Sequence, residues 1–124
     1  MFRISLIFLG GGLGALARFG LAGWVARLFP STFPLGTLSV NIFGSFLIGL
    51  LITGLEGRLS CSSPFYGFLV IGILGGFTTF SAFSLESVNL MRNGAWGSAG
   101  SYVTLSLLCC LIGTMVGMRL GKWW

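Results

Sequence analysis

Four apolar runs, each near the roughly 20 residues needed to cross about 30 Å of hydrocarbon, fill this chain and leave only short polar breaks between them. That arrangement restricts the fold more than any single motif. Of the 124 residues, 55% are hydrophobic and 7% are charged, whereas soluble domains carry about a quarter charged residues. A soluble domain this small would need far more polar surface to cover its core, so the bilayer is the solvent. The 21 glycines agree, because small residues let helices approach closely where lipid supplies no hydrophobic drive between them. The expected architecture is all-α: one domain over residues 1–124 with membrane helices at about 4–28, 35–55, 65–91 and 97–120.

The breaks fall at the cluster Phe29-Pro30-Ser31-Thr32-Phe33-Pro34, at the polar loop 56–64, and at Arg92-Asn93-Gly94. Residues 4–17 resemble a signal-peptide core, with Ala15-Leu16-Ala17 as a small-residue site, but the apolar run continues through Ala22 to Ala26 and reads as a span. Lys122, Trp123 and Trp124 anchor the end at the interface. The seven basic residues, behind a net charge of +5, are scattered singly and mostly at helix ends. They form no patch able to follow a phosphate backbone; no nucleic-acid partner is expected. With four crossings, Arg3, Arg58, Arg119 and Lys122 share one side, while Arg27 and Arg92 share the other. So small a bias permits insertion both ways and a two-fold pair of antiparallel copies. The three cysteines, Cys61, Cys109 and Cys110, show no metal spacing and read as unpaired, the latter two as small packing residues.

Chemistry-bearing residues concentrate in three places. In the third run, Gly75-Gly76-Phe77-Thr78-Thr79-Phe80-Ser81-Ala82-Phe83-Ser84, followed by Glu86, is poor helix-forming sequence midway through a span. One reading is a local break whose freed carbonyls meet protein or an ion. The other is an intact helix with the glycines at a packing seam and the hydroxyls bonded to the preceding turn. Phe80 and Phe83 stand three apart and share a face, and their positive ring edges suit a dehydrated anion. On their own, however, they read as two core or lipid-facing phenylalanines among twelve. In the second run Thr37, Asn41 and Ser45 stack at four-residue intervals. The Asn41 NH₂ suits either an anion or an interhelical bond. In the fourth, Ser106, Cys110 and Thr114 do the same, as a polar track or a small-residue packing face. Arg18, inside the first run, pairs with Glu86 or lines a wet vestibule that attracts anions.

The segments GGGLGALAR (10–18), FPLGTLSVNIFGSFLIG (33–49) and GGFTTFSAFSLE (75–86) resemble the CrcB/Fluc fluoride channel family, in order and over nearly the whole chain. The resemblance implies a dual-topology antiparallel homodimer in the bacterial plasma (inner) membrane, with two pores, exporting fluoride passively down its gradient. It implies that Asn41 donates to fluoride and that the edges of Phe80 and Phe83 contact it. Gly75 and Thr78 match the break whose carbonyls bind a structural sodium ion at the dimer axis. Arg18 matches the vestibule arginine, and Glu86 a family glutamate after the break. Thr37, Ser81, Ser106, Cys110 and Thr114 complete the expected polar lining. Two departures stand out: Ala82 replaces a common threonine, and Cys110 occupies a serine position, where a thiol donates weakly.

Two other functional classes share features of this sequence. A small multidrug-type exporter needs a membrane-embedded carboxylate, usually in its first helix; this first helix has Arg18 and no acid. A non-conducting assembly factor would share the fold without the flux. An enzyme is not expected, because the chain has no His and no nucleophile–base pair.

Overall fold

A computed structural model describes residues 1–58 and 60–123. Trp124, expected as an interfacial anchor, lies outside the described residues. The chain forms four spans and, among the described residues, no strand. Helix α1 covers Phe2–Leu28 and α2 covers Leu35–Gly54. The third span, Pro64–Arg92, is divided. Its first half, residues 64–77 (α3), contains a π-helical stretch, Gly67–Leu74. Its second half is α4, Phe80–Arg92, and the fourth span is α5, Trp96–Gly121. At about 1.5 Å per residue, the 27, 20 and 26 residues of α1, α2 and α5 reach about 30–40 Å, enough to cross the hydrocarbon.

Short loops make successive spans antiparallel. α1 packs along α3, α2 packs along α5, and α4 leans on α5. Glycine seams hold the first two pairs together. A Cβ at Gly14 would collide with the Ile73 carbonyl and lie 2.9 Å from the Phe77 nitrogen. One at Gly117 would collide with the Phe46 carbonyl. Such backbone-to-backbone approach is how helices associate where lipid is as apolar as leucine. The best-buried side chains are Val40 and Tyr102, and Tyr102 clusters with Leu90 and Ala99 against Leu38 and Phe83.

Most large apolar side chains of α1 and α5 point outward, among them Phe8, Phe19, Trp24, Leu108 and Ile112. They suit acyl chains or another protein surface.

The interruption of the third span is real, but it falls two residues beyond the glycine pair. Gly75–Phe77 remains helical. Thr78 (φ −80°, ψ 157°) and Thr79 (φ −151°, ψ 116°) are extended. Gly76 meets the backbone of Gly11, and the Thr78 hydroxyl donates to the Leu74 carbonyl at 3.0 Å. The glycines thus make a packing seam while the threonines make the break, so each sequence reading holds for part of the segment.

Candidate functional site

A helix break at membrane depth is stable only if its backbone groups find partners. Here Asn41 of α2 supplies two of them. Its Oδ1 accepts from the Thr79 N–H at 2.9 Å, and its Nδ2 donates to the Thr79 carbonyl at 3.0 Å. The side chain clamps the extended residue as a neighbouring strand would, and one amide N–H remains. The Thr79 hydroxyl caps α4 by accepting from the Ala82 N–H at 3.2 Å.

These bonds redirect the donors of a continuous helix. The Thr79 N–H would otherwise reach the Gly75 carbonyl, and the Ala82 N–H the Thr78 carbonyl. Both bond elsewhere, leaving those two carbonyls without helical donors. Just past them, α4 begins with the free N–H groups and positive dipole end of any helix N-terminus. The break therefore offers oxygen acceptors on one side and an anion-attracting end on the other.

A cavity of about 400 Å³ opens at this point. Asn41, Gly75, Thr78, Phe80, Phe83, Ser106 and Cys110 all line it, against walls that include Ile48, Leu107 and Leu111. The rings of Phe80 and Phe83 are 5.3 Å apart and tilted by 44°; that of Phe83 is 5.4 Å from Tyr102. Phe83 is half-buried, whereas Phe80 is 75% exposed on a single chain. Ser106 is buried, and its hydroxyl has no partner among the described residues. Thr114 is off the cavity's lining; its hydroxyl donates to the carbonyls of Ser45 at 3.1 Å and Cys110 at 3.0 Å.

A second cavity, of about 550 Å³, holds Arg18, Thr37 and Ser81 and shares Thr79 with the first. Arg18 lines it without a hydrogen bond or ion pair to any described residue. Its possible partner from sequence, Glu86, is taken by hydroxyls. Thr37 donates to one carboxylate oxygen and Tyr102 to the other, each at 2.7 Å. That leaves Arg18 free to present its charge to the cavity.

Tyr102 and Thr79 escaped the sequence reading. For Tyr102 a signal existed. The series Ser106, Cys110, Thr114 extends one turn back to residue 102, which puts its ring and hydroxyl on the same helix face. For Thr79 none existed, because its role depends on an amide from another helix.

The spans and the cavity at their break define a small multi-pass membrane protein with no metal-binding cluster of acidic or thiol side chains among the described residues. Residues 5–118 match the model of the family described as CrcB-like protein, Camphor Resistance (CrcB), and the chain belongs to that family. It is 50% identical over 113 residues to the fluoride-specific ion channel FluC of Opitutus terrae, covering 90% of this chain and 86% of that one. It is 45% identical over 122 residues to the protein of the same name from Agrobacterium fabrum, covering 98% of each. The Sulfurovum protein so named is 49% identical over 114 residues, 91% of this chain and 88% of its own.

Proposed function

We propose that this chain is a fluoride-selective channel of the bacterial plasma membrane, working passively as an antiparallel pair with two pores and lowering cytoplasmic fluoride. The observation that carries the reading is the convergence of Asn41, Phe80, Phe83 and the start of α4 on one cavity at a helix break. Relatives named fluoride-specific ion channels, over nearly the whole chain, support the choice of ion.

Fluoride is small and holds its water tightly, so a path must replace that water with several modest partners. The remaining Asn41 N–H, the unpartnered Ser106 hydroxyl and the Ser81 hydroxyl are donors of this kind. The edges of Phe80 and Phe83 add positive quadrupole without a fixed charge. None binds deeply, and conduction requires sites weak enough to leave. Arg18 gathers anions in the second cavity, which Thr37 also lines. Cys110 continues the cavity's side of α5, whereas Thr114, off the lining, ties α5 to α2 through the Ser45 carbonyl. Glu86, capped on both oxygens, is structural: it ties α2 to α5 through Thr37 and Tyr102.

The freed carbonyls of Gly75 and Thr78 suit a hard monovalent cation, as unwound carbonyls do in other transporters. We assign them to a structural sodium ion, to which a second copy would add its own pair. When bound, it supplies fixed positive charge between the two paths. The partner copy also gives the exposed Phe80 ring a surface to face.

Growth on fluoride tests the proposal in a bacterium lacking its own fluoride export. The chain should restore growth, and Phe80→Ile should not, at equal membrane levels. Failure of the intact chain to restore growth would overturn the function; equal rescue by both would overturn the path.

A further inference from the structure

The cavity carries one group that hard-anion conduction does not need, the thiol of Cys110. Cys110 is half-buried and unpaired, and no described residue hydrogen-bonds its sulfur. One helical turn away, Ser106 lines the same cavity, is 6% exposed, and has a hydroxyl with no partner. Two adjacent polar groups without partners, on a wall otherwise formed by Leu107 and Leu111, mark a place where a ligand belongs. Of the other cysteines, Cys61 is exposed in the loop between α2 and α3 and Cys109 does not line the cavity.

We propose that this cavity is a binding site for small thiophilic cations, organomercurials above all, which attach to Cys110 and close the path. The inference rests on the reading of the cavity as the fluoride path. A methylmercury group matches the surroundings: a soft metal for the sulfur, and a methyl for the apolar and aromatic walls. Its neutral chloride complex can enter from lipid as well as from water. In the reaction a sulfur–mercury bond forms, the thiol proton passes to water, and chloride leaves mercury. No electron is transferred. At about 400 Å³, the cavity accommodates the adduct, which then sits beside Asn41, Phe80 and Phe83.

The test uses the purified full chain in liposomes, with methylmercury chloride as probe and two readouts: intact mass and fluoride efflux. One protein keeps Cys110 alone (Cys61→Ser with Cys109→Ala). Two others, Cys110→Ser and Cys110→Ala, keep the remaining thiols. Each is compared with its own efflux before the reagent. In the Cys110-only protein we expect one methylmercury in the mass and an efflux loss of about tenfold or more, as for an occupant of a narrow path. Excess small dithiol should reverse it. Both Cys110 variants should keep their own efflux. No adduct on the folded Cys110-only protein would overturn the site, and an adduct with unchanged efflux would overturn the block. If no preparation conducts before the reagent, it is the channel reading that fails, and the mass alone decides the site.

Discussion

Replacing Asn41 by alanine tests whether one side chain holds the third span open. The substitution deletes two hydrogen bonds, at 2.9 and 3.0 Å, and leaves both the N–H and the carbonyl of Thr79 without their partner. An unpaired buried polar group costs about 1–3 kcal/mol. Both groups here are only part-buried, so we take the lower half of that range for each, and the expected loss is about 2–4 kcal/mol. The natural comparison is Thr114→Ala. It removes one hydroxyl shared between two carbonyls, and the average for such bonds in membrane proteins is about 0.6 kcal/mol. Unfolding in mixed micelles by added SDS, followed by the fluorescence of the four tryptophans, measures both. Asn41→Asp is a sharper form of the test. It keeps the acceptor for the Thr79 N–H but turns a carboxylate oxygen toward the Thr79 carbonyl, so it should destabilise at least as much as alanine and lose fluoride flux. If Asn41→Ala proves no more destabilising than Thr114→Ala, the amide does not hold the break and the reasoning is wrong.

Other consequences follow from the same contacts. Phe80→Ile should reduce fluoride efflux about tenfold or more by removing a ring edge from a weak multi-site path, while changing the unfolding free energy of a single chain by less than about 0.5 kcal/mol, as expected of an exposed side chain. Tyr102→Phe and Glu86→Gln should each destabilise, and a double-mutant cycle in the same micelles should give a coupling of about 1 kcal/mol between them; additivity would show that the 2.7 Å contact does little. Gly14→Ala places a methyl against the Ile73 carbonyl and should cost about 2 kcal/mol or more as overpacking. Gly12→Ala, with nothing within 4 Å of the added carbon, should be close to neutral by the same denaturation.

The four spans were legible because apolar length is a property of the sequence itself. Glycines followed by threonines left open whether the third span breaks; the family resemblance implied a break and put Gly75 and Thr78 at it. The detail of the opening was not legible locally. Local propensity points to Gly75-Gly76, yet those residues stay helical and Thr78-Thr79 open, because the Asn41 amide competes for the Thr79 backbone from another helix. A tertiary partner of that kind overrides propensity and leaves no local trace. The π-helical stretch Gly67–Leu74 was also invisible. A change of helical phase shows only where polar and apolar faces alternate, and this segment is apolar all round. Glu86 invited pairing with Arg18 because opposite charges are the obvious match. Two hydroxyls took its oxygens instead, one from Thr37 and one from Tyr102, which stands one turn before Ser106 in the i, i+4 series of α5.

Fluoride efflux from liposomes holding the purified chain, read with a fluoride electrode and in parallel with a chloride electrode, tests the central claim most directly. Fast fluoride release with negligible chloride release is expected, and its loss in Phe80→Ile. A folded protein that releases neither ion, or releases both alike, would contradict that claim.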